Sequence, residues 1–354
     1  MKSFFSQNPF TPFLLALPVT LAAELLHWSP VAVFLLACIG IIPMAAYIGE
    51  ATETLAHYTN PRLGALLNAT LGNAAELIIT IAAIRAGLLE LVIASITGSI
   101  LGNLLLVLGF SMVVGGTKHG PQLFDKRSAG RNATLLVLAV TALVVPSLFS
   151  SSIGPETSVR VEALSLGVAI VMIILYVLGL IDAVRASDSP ITHETPSGYL
   201  PKWTVTQAVI VLVLATAGVV WLSEALVGVA EDVMTGLGIS EFFLGIILIP
   251  LIGNVAEHLV AVQMAAKNKM DLSVEIAVSS SLQIALFVAP LLVFISLAIG
   301  NPLHLVFNSF ELLALLAGII ISALVSSDGE STWLEGASLL GVYLILGLAF
   351  FLLH

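Results

Sequence analysis

Long apolar runs, separated by short polar segments, dominate this sequence. Most of them reach the ~20 residues that a helix needs to cross a lipid bilayer. They are too long for the strands of a membrane barrel, and they show no sustained alternation of apolar and polar positions. The pattern predicts an all-α membrane protein with eleven transmembrane helices, at residues 10–26, 30–48, 63–85, 88–115, 133–150, 160–181, 205–227, 239–264, 273–299, 307–327 and 333–353.

The basic residues give this arrangement an orientation. When the loops between the eleven runs are assigned alternately to the two sides, ten of the twelve Lys and Arg residues fall on the side of the N-terminus. Only Arg85 and Arg160 fall on the other side. Because basic loops stay in the cytoplasm, we expect a cytoplasmic N-terminus and an external C-terminus.

The sequence also contains an internal repeat with an offset of 181 residues. The segment Leu-Gly-Asn-Ala-Ala-Glu at 71–76 resembles Ile-Gly-Asn-Val-Ala-Glu at 252–257. At the same offset, Ser99 corresponds to Ser280 and Glu90 to Asp271. A unit of five spans is odd in number, so the second copy enters the membrane from the opposite side. This predicts two inverted-topology repeats, as in many secondary transporters.

Four segments follow from these patterns. Residues 1–28 hold an extra N-terminal transmembrane helix, for which a signal peptide is the alternative interpretation. Residues 29–181 form the first five-helix repeat, and residues 205–354 form the second. Residues 182–204, which contain three prolines, form a cytoplasmic linker.

The composition agrees with lipid as the solvent. Apolar residues make up 58% of the chain and charged residues 10%, against about 25% charged in a typical soluble domain. The net charge of −10 gives no basic face for nucleic acid. The single cysteine, Cys38, lies in an apolar run and is interpreted as a packing residue.

Two acidic residues lie within predicted spans at repeat-related positions, Glu76 and Glu257. A charge at the centre of the bilayer costs at least ~2.5 kcal/mol, so a functional use is the preferred interpretation. The alternative is a protonated pair that holds helices together. Because polar helix faces in lipid must face protein or a water-filled cavity, we expect the two carboxylates to meet near the midplane.

Other polar residues belong to the same stripes. In the span at 63–85, Thr70, Asn73, Glu76 and Thr80 share one helix face by spacing. The further candidates for cation and proton binding are Asn73, Asn254, Ser99, Ser280, Gln283 and His258. Membrane serines often bond only to their own backbone, but Ser99 and Ser280 are repeat-equivalent. For His258, an ordinary contact between helices remains an alternative to a place in the site.

Glycine and proline flank the two asparagines. Gly72 and Gly253 precede them, and Pro250 removes a backbone donor that would otherwise bond the carbonyl of Ile246. One interpretation is a broken helix that exposes carbonyl ligands. The other is close helix packing at glycine. Acidic residues at helix ends, among them Glu50, Glu53 and Glu224, Glu231 and Asp232, are either vestibules for cations or ordinary solvated ends.

The expected ligands are all oxygen atoms, which suits a hard cation such as Ca²⁺. The metal ligands are predicted to be Glu76 and Glu257, whose charges balance a divalent ion. Without a cation, two facing buried carboxylates do not both stay ionised, so protons replace it. This competition predicts a cation–proton antiporter without a cofactor, with Ca²⁺ and H⁺ as substrates.

At this point the motifs resemble the calcium/cation–proton exchanger family, within the Ca²⁺:cation antiporter superfamily. The similar segments are residues 72–78, 253–258, 97–109, 267–272 and 283–288. The resemblance implies a one-plus-five-plus-five helix fold, with Glu76 and Glu257 as essential ion- and proton-binding residues. Residues 279–283, Ser-Ser-Ser-Leu-Gln, depart from the family's Gly-Ser-Ala-Thr-Gln, and the linker lacks the long acidic helix of some members.

Several alternatives remain open from the sequence. A Na⁺/H⁺ or K⁺/H⁺ antiporter, or a broad-specificity cation exchanger, fits the same repeat. An intramembrane enzyme lacks support because the sequence contains no His-Glu-x-x-His and no Gly-x-Ser-x-Gly motif. A channel is a third possibility. The compact length favours a bacterial inner membrane, and the oligomeric state is not given by the sequence.

Overall fold

The structure, a computed structural model, describes residues 10–59, 61–155, 158–185 and 201–353. In these ranges nearly all of the chain is helical, as predicted. Side-chain caps start several helices: Ser29 accepts from the backbone of Ala32, and Thr204 forms a capping box with Gln207. The predicted linker lies mostly at 186–200, outside the described residues.

Fourteen helices are numbered here in chain order. A 3₁₀ turn, Thr11–Leu15, leads into α1. The helices of the described ranges are α1 Ala16–Leu25, α2 Pro30–Tyr58, α3 Pro61–Leu71, α4 Ala74–Ala86, α5 Leu89–His119, α6 Lys126–Ile153, α7 Val159–Arg185, α8 Val205–Gly228, α9 Ala230–Leu237, α10 Glu241–Gly253, α11 Val255–Ala266, α12 Met270–Ile299, α13 Ser309–Val325 and α14 Trp333–Leu352.

The number of helices that are long enough to span a membrane is smaller than the eleven predicted from the apolar runs. Within the described ranges, seven helices are long and apolar enough to cross a membrane, or eight when the bent pair α9 and α10 is counted as one. The apolar helices Thr11–Leu25, α11 and α13 are shorter than this length. Two of the predicted runs, 63–85 and 239–264, are each divided into two helices, which accounts for part of the difference.

Both divisions fall at the asparagines of the repeated motif. Asn73 separates α3 from α4, and Asn254 separates α10 from α11. The φ and ψ angles are −95° and 23° at Asn73, and −98° and 4° at Asn254, so the two residues adopt nearly the same non-helical conformation. The helix breaks of the first interpretation are therefore present at both sites.

The helices with repeat motifs form the centre of the bundle. Every residue of α5 from 91 to 105 is buried, and α5 packs against α10, α12 and α13. At the side of this centre, α8 lies along α2, and both contact α4. The buried core is continuous across all of these helices.

Two short strands were not expected from the sequence. Strand β1, Gln122–Leu123, pairs antiparallel with β2, Glu330–Ser331, so that Gln122 lies opposite Ser331. The strands lie in the loops that follow α5 and α13. They link these loops beside the end of α11, where Gln122 bonds the carbonyl of Ala265.

A second extended segment, at 301–308, precedes α13. Leu303, Leu305 and Phe307 alternate with more exposed neighbours, and their backbone N–H groups donate to serine hydroxyls instead of a strand partner. The hydroxyls belong to Ser296 on α12 at 2.8 Å, Ser165 on α7 at 3.0 Å and Ser147 on α6 at 2.8 Å. Irregular backbone within a membrane bundle needs such partners, because lipid offers none.

Candidate functional site

The two breaks place each glutamate in the first turn of a new helix. Glu76 is in the first turn of α4, and Glu257 is in the first turn of α11. A helix N-terminus carries partial positive charge, which favours a carboxylate there. The chain therefore holds two acidic groups, Glu76 buried and Glu257 half-buried, at the points where its two broken helices resume.

The glycines of the motif pack against the glutamates in a reciprocal way. A Cβ added to Gly72 would lie 3.2 Å from Oε1 of Glu257, and one added to Gly253 would lie 3.1 Å from Cγ of Glu76. Each glutamate side chain thus contacts the glycine of the other motif. Both interpretations of these glycines apply, since they sit beside a helix break and also permit close approach.

Glu257 takes part in a network of hydrogen bonds. The hydroxyl of Ser280 donates to Oε2 of Glu257 at 2.8 Å, and it accepts from the amide of Asn103 at 3.0 Å. The oxygen of that Asn103 amide lies 3.2 Å from Nε2 of His258. His258 therefore joins the network of the site through Asn103.

The two asparagines of the breaks join the helices that surround the glutamates. Asn73 donates to Oε1 of Gln283 at 2.7 Å, and both side chains are 1% exposed. Asn254 donates to the hydroxyl of Ser99 at 3.4 Å and to the carbonyl of Pro250 at 3.2 Å. All of the predicted site residues are thus brought into one region between α4, α5, α11 and α12.

Glu76 differs from Glu257 in its contacts. Among the described residues, neither oxygen of its carboxyl group has a hydrogen-bond partner, although the side chain is only 3% exposed. The side chains of Asn254 and Glu257 lie near this carboxyl group but form no hydrogen bond with it. An unsatisfied buried carboxyl group is costly, which is typical of a group that binds a ligand or a proton.

Widened helical turns border the site on both sides. Residues 102–107 of α5 and 284–288 of α12 form π-helical turns, and the two segments correspond at nearly the repeat offset. Asn103 lies in the first, and Gln283 directly precedes the second. A third π turn spans 244–248 of α10. Such turns often mark functional sites, and the sequence pattern did not predict them.

Some polar residues of the predicted stripes bond their own helix. The hydroxyl of Thr70 donates to the carbonyl of Leu66 at 2.8 Å, one turn earlier in α3. Ser279 and Ser281 likewise bond their own helix, at Glu275 and Ala277. The helix break at Asn73, which spacing alone does not show, separates Thr70 from the others.

The carbonyl freed by Pro250 has a contact of its own. A Cβ on Gly98 would overlap the carbonyl oxygen of Ile246, so α5 and α10 touch backbone to backbone there. The acidic helix ends also have partners: Glu50 pairs with Lys202, and Glu224 pairs with Arg85 at 2.8 Å. The carboxylates of these two residues are thus engaged in ion pairs, which argues against a role in attracting cations to a vestibule.

One buried acidic residue was not expected. Glu311, in the first turn of α13, is 2% exposed and accepts hydrogen bonds from the backbone of Asn308 at 2.8 Å and from the hydroxyl of Thr97 at 3.4 Å. Its place three residues after Asn308 is the capping-box spacing, a sequence signal that identifies a helix start.

The donor set is suited to a hard cation. Two carboxylates, amide oxygens and hydroxyls converge, and in the described ranges no group of three or more His, Cys, Asp or Glu side chains is arranged to hold a metal ion. Broken helices that meet around buried carboxylates are typical of secondary transporters.

Comparison with known proteins agrees with this class. Residues 29–182 and 207–352 match the family described as sodium/calcium exchanger protein. The chain belongs to this family.

Two bacterial relatives are similar over nearly their whole length. A protein of Aphanothece halophytica named Ca(2+)/H(+) antiporter is 44% identical over 97% of this chain and 96% of its own. The Ca(2+)/H(+) antiporter ChaA of Bacillus subtilis is 43% identical over 95% of this chain and 96% of its own.

Solved structures show the same fold. The structure of native YfkE superposes with a TM-score of 0.86 at 42% identity, covering 97% of this chain and 100% of that one. The crystal structure of the H+/Ca2+ exchanger CAX has a TM-score of 0.74 at 16% identity, covering 97% and 91%. At that identity the second likeness concerns the fold alone.

Proposed function

We propose that this protein exchanges Ca²⁺ for H⁺ across a membrane, by alternating access at a site between Glu76 and Glu257. The observation that carries the proposal is the reciprocal packing of each glutamate against the glycine of the other motif. This packing brings the buried carboxyl group of Glu76 and the half-buried one of Glu257 into one region of the bundle. The names of the bacterial relatives, Ca(2+)/H(+) antiporters at 43–44% identity, support the choice of substrates.

The site binds either the cation or protons. Two ionised carboxylates balance the charge of Ca²⁺, and Ca²⁺ accepts six to eight oxygen ligands in flexible geometry. The neutral ligands and supporting groups are Asn73, Asn254, Ser99, Ser280, Gln283 and His258. When the cation leaves, burial and mutual repulsion favour uptake of protons by the same carboxyl groups. A protein that crosses between its two open states only with one or the other bound performs antiport.

The architecture that we propose is an extra N-terminal helix followed by two inverted five-helix repeats, eleven spans in all. The division at 29–181 and 205–354 is supported by the two family segments, 29–182 and 207–352. Further support comes from the repeat offset of 181 residues and from the paired breaks at Asn73 and Asn254. Residues 182–204 join the repeats.

The membrane that we propose is a bacterial inner membrane, with the N-terminus in the cytoplasm and the C-terminus outside. The support is the excess of Lys and Arg on one set of loops. The high identity to relatives from Bacillus subtilis and Aphanothece halophytica agrees with a bacterial source.

The test is ion flux in proteoliposomes that contain the purified protein and a pH-sensitive dye. With an imposed pH gradient, we expect Ca²⁺ added outside to dissipate the gradient and to accumulate as ⁴⁵Ca²⁺. Mn²⁺, Mg²⁺, Na⁺ and K⁺ are added in turn to compare the ions. Flux with Na⁺ or K⁺ alone contradicts the Ca²⁺ assignment, and Ca²⁺ flux that needs no proton movement identifies a channel or a uniporter.

A further inference from the structure

The ends of the two glutamate helices are held by amide side chains from the opposite half of the chain. Asn301, in the loop after α12, donates its Nδ2 to the carbonyl of Ile84 at 2.8 Å. Gln122, in β1, donates its Nε2 to the carbonyl of Ala265 at 3.1 Å. Each bond therefore connects one repeat to the glutamate helix of the other.

The two acceptors occupy equivalent places. Ile84 follows Glu76 in α4 at the same interval at which Ala265 follows Glu257 in α11, so the acceptors differ by the repeat offset of 181 residues. Both acceptor residues are 0% exposed. Two separate amides that reach equivalent carbonyls are not expected from ordinary loop packing, in which the acceptors would differ between the halves.

Because the glutamate helices start at breaks, the amide bonds at their far ends affect the positions of Glu76 and Glu257. Each glutamate helix is short and starts at a break, so its first turn is not fixed by a continuous helix. A helix rises 1.5 Å per residue, which places the held carbonyl about 12 Å along the axis from the glutamate. Holding the far end of such a rod limits how the carboxylate at its near end tilts.

The two attachments differ in strength. At the end of α11, Gln122 also donates to Oδ1 of Asn268 at 2.8 Å, and Lys118 and His119 both contact the carbonyl of Ala266 at 2.9 Å. A Cβ on Gly115 would lie 3.3 Å from the carbonyl of Ala265, so α5 approaches this end closely.

At the end of α4, in contrast, the carbonyl of Ile84 accepts one side-chain hydrogen bond within the described residues, from Asn301. The neighbouring ion pair of Arg85 with Glu224 is solvent-exposed and therefore adds little. Loss of Asn301 is thus expected to free its helix more than loss of Gln122 frees the other.

We infer that Asn301 and Gln122 are positioning residues for transport, each fixing the end of one glutamate helix and through it the place of Glu76 or Glu257. The inference rests on the proposed function. It assigns no contact between these amides and the cation. Under the proposed orientation, Asn301 acts at the external face and Gln122 at the cytoplasmic face.

The experiment uses the full-length protein with Asn301→Leu and Gln122→Met, which remove the donor and nearly keep the side-chain volume. Hydrogen–deuterium exchange, read by mass spectrometry, is followed at residues 82–87 and 263–268. We expect faster exchange at 82–87 in Asn301→Leu alone, and a smaller increase at 263–268 in Gln122→Met alone. This readout needs no transport, so it separates the inference from the proposed exchange activity.

Transport is measured on the same variants in proteoliposomes. We expect the apparent KM for Ca²⁺ to rise about fivefold in Asn301→Leu, the size of one ordinary hydrogen bond, with kcat within twofold of wild type. Matched controls are Ser165→Ala, which loses a bond of the same 301–308 segment to α7, and Ser331→Ala, which loses a bond to the Gln122 carbonyl. We expect neither control to change KM.

Three results overturn the inference. The first is unchanged hydrogen–deuterium exchange at 82–87 in Asn301→Leu. The second is an equal increase in hydrogen–deuterium exchange of both helices in either variant, and the third is an unchanged KM for Ca²⁺ together with a reduced kcat. The wild-type protein could also show no Ca²⁺/H⁺ antiport while the variants show the expected changes in hydrogen–deuterium exchange. That result refutes the proposed function and the transport role of the two amides, but it establishes that they hold the helix ends.

Discussion

Ser280 donates a hydrogen bond to Glu257 at 2.8 Å, but its repeat counterpart Ser99 makes no such bond to Glu76 in the part of the chain that the structure describes. Ser99 instead accepts from Asn254 at 3.4 Å. The two glutamates therefore occupy equivalent backbone positions with different surroundings. In this structure, Glu257 is the carboxylate with a fixed partner, and Glu76 is the one whose oxygens remain available.

This difference predicts the effect of Ser280→Ala. A hydrogen bond to a charged group contributes about 1.5–3 kcal/mol, so we expect the apparent KM for Ca²⁺ to rise about tenfold or more. The neighbouring Ser279→Ala is the matched control, because that hydroxyl bonds the carbonyl of Glu275 in its own helix. Equal KM values for the two variants in ⁴⁵Ca²⁺ uptake would show that the Ser280 bond is irrelevant.

Substitution of either carboxylate tests the shared site. In Glu76→Gln and Glu257→Gln, the site has one negative charge and cannot balance Ca²⁺, so we expect exchange to be lost. Because glutamine keeps the side-chain size, both variants are expected to insert in the membrane and to elute in gel filtration as wild type does. Full exchange activity in either variant contradicts a site that needs both groups.

The competition between cation and protons predicts a pH dependence with a definite sign. As the pH falls, protons occupy the carboxyl groups more often, so the apparent KM for Ca²⁺ rises. Saturating Ca²⁺ displaces those protons, and we expect the binding deficit to disappear there. Initial rates measured over a series of pH values and Ca²⁺ concentrations check this. An apparent KM that does not depend on pH would mean that protons bind elsewhere.

The close contact at Gly253 predicts a cost for any larger residue. In Gly253→Ala, the new methyl group would lie 3.1 Å from Cγ and 3.2 Å from Cδ of Glu76, so the glutamate must move. Overpacking of this kind costs about 1–3 kcal/mol, and we expect weaker Ca²⁺ binding by roughly tenfold. Gly167→Ala is the control, since nothing lies within 4 Å of its Cβ. Unchanged Ca²⁺ affinity in Gly253→Ala would show that the glutamate adapts.

The capping box at the start of α13 predicts which property of Glu311 matters for stability. Gln207 fills the corresponding position of the box at α8, so a neutral amide suffices there. We expect Glu311→Gln to keep the melting temperature in detergent and Glu311→Ala to lower it, with a loss of about 1 kcal/mol.

The same pair of substitutions at Glu335, which caps α14 in the same way and is less buried, is the comparison. Equal destabilisation by Glu311→Gln and Glu311→Ala would point to the charge of Glu311 instead of its capping bond.

The sequence predicted that the candidate site residues lie together, which the structure agrees with, but it did not predict the shape of the helices that carry them. Hydropathy and the repeat offset singled out Glu76, Glu257 and their polar neighbours as candidates, because charged residues are rare in apolar runs. The break at Asn73 was one of two open interpretations, since the apolar pattern continues across it. Thr70 was grouped with Glu76 for this reason, although the break separates them.

Contacts between distant segments explain what sequence reasoning missed. The π turns at 102–107 and 284–288 change the helical register without a characteristic residue pattern. The hydrogen bonds of Gln122 and Asn301 join residues that are 143 and 217 positions apart, and the sequence around either amide does not predict its acceptor. Such pairs become visible only when the bundle is assembled.

The extended segment at 301–308 also constrains how the protein is made. Its backbone donors depend on Ser147, Ser165 and Ser296, which lie on three other helices. Before those helices have gathered, these backbone groups would have no partners in lipid. We therefore expect α6, α7 and α12 to assemble first, and the segment and the start of α13 to take their places afterwards.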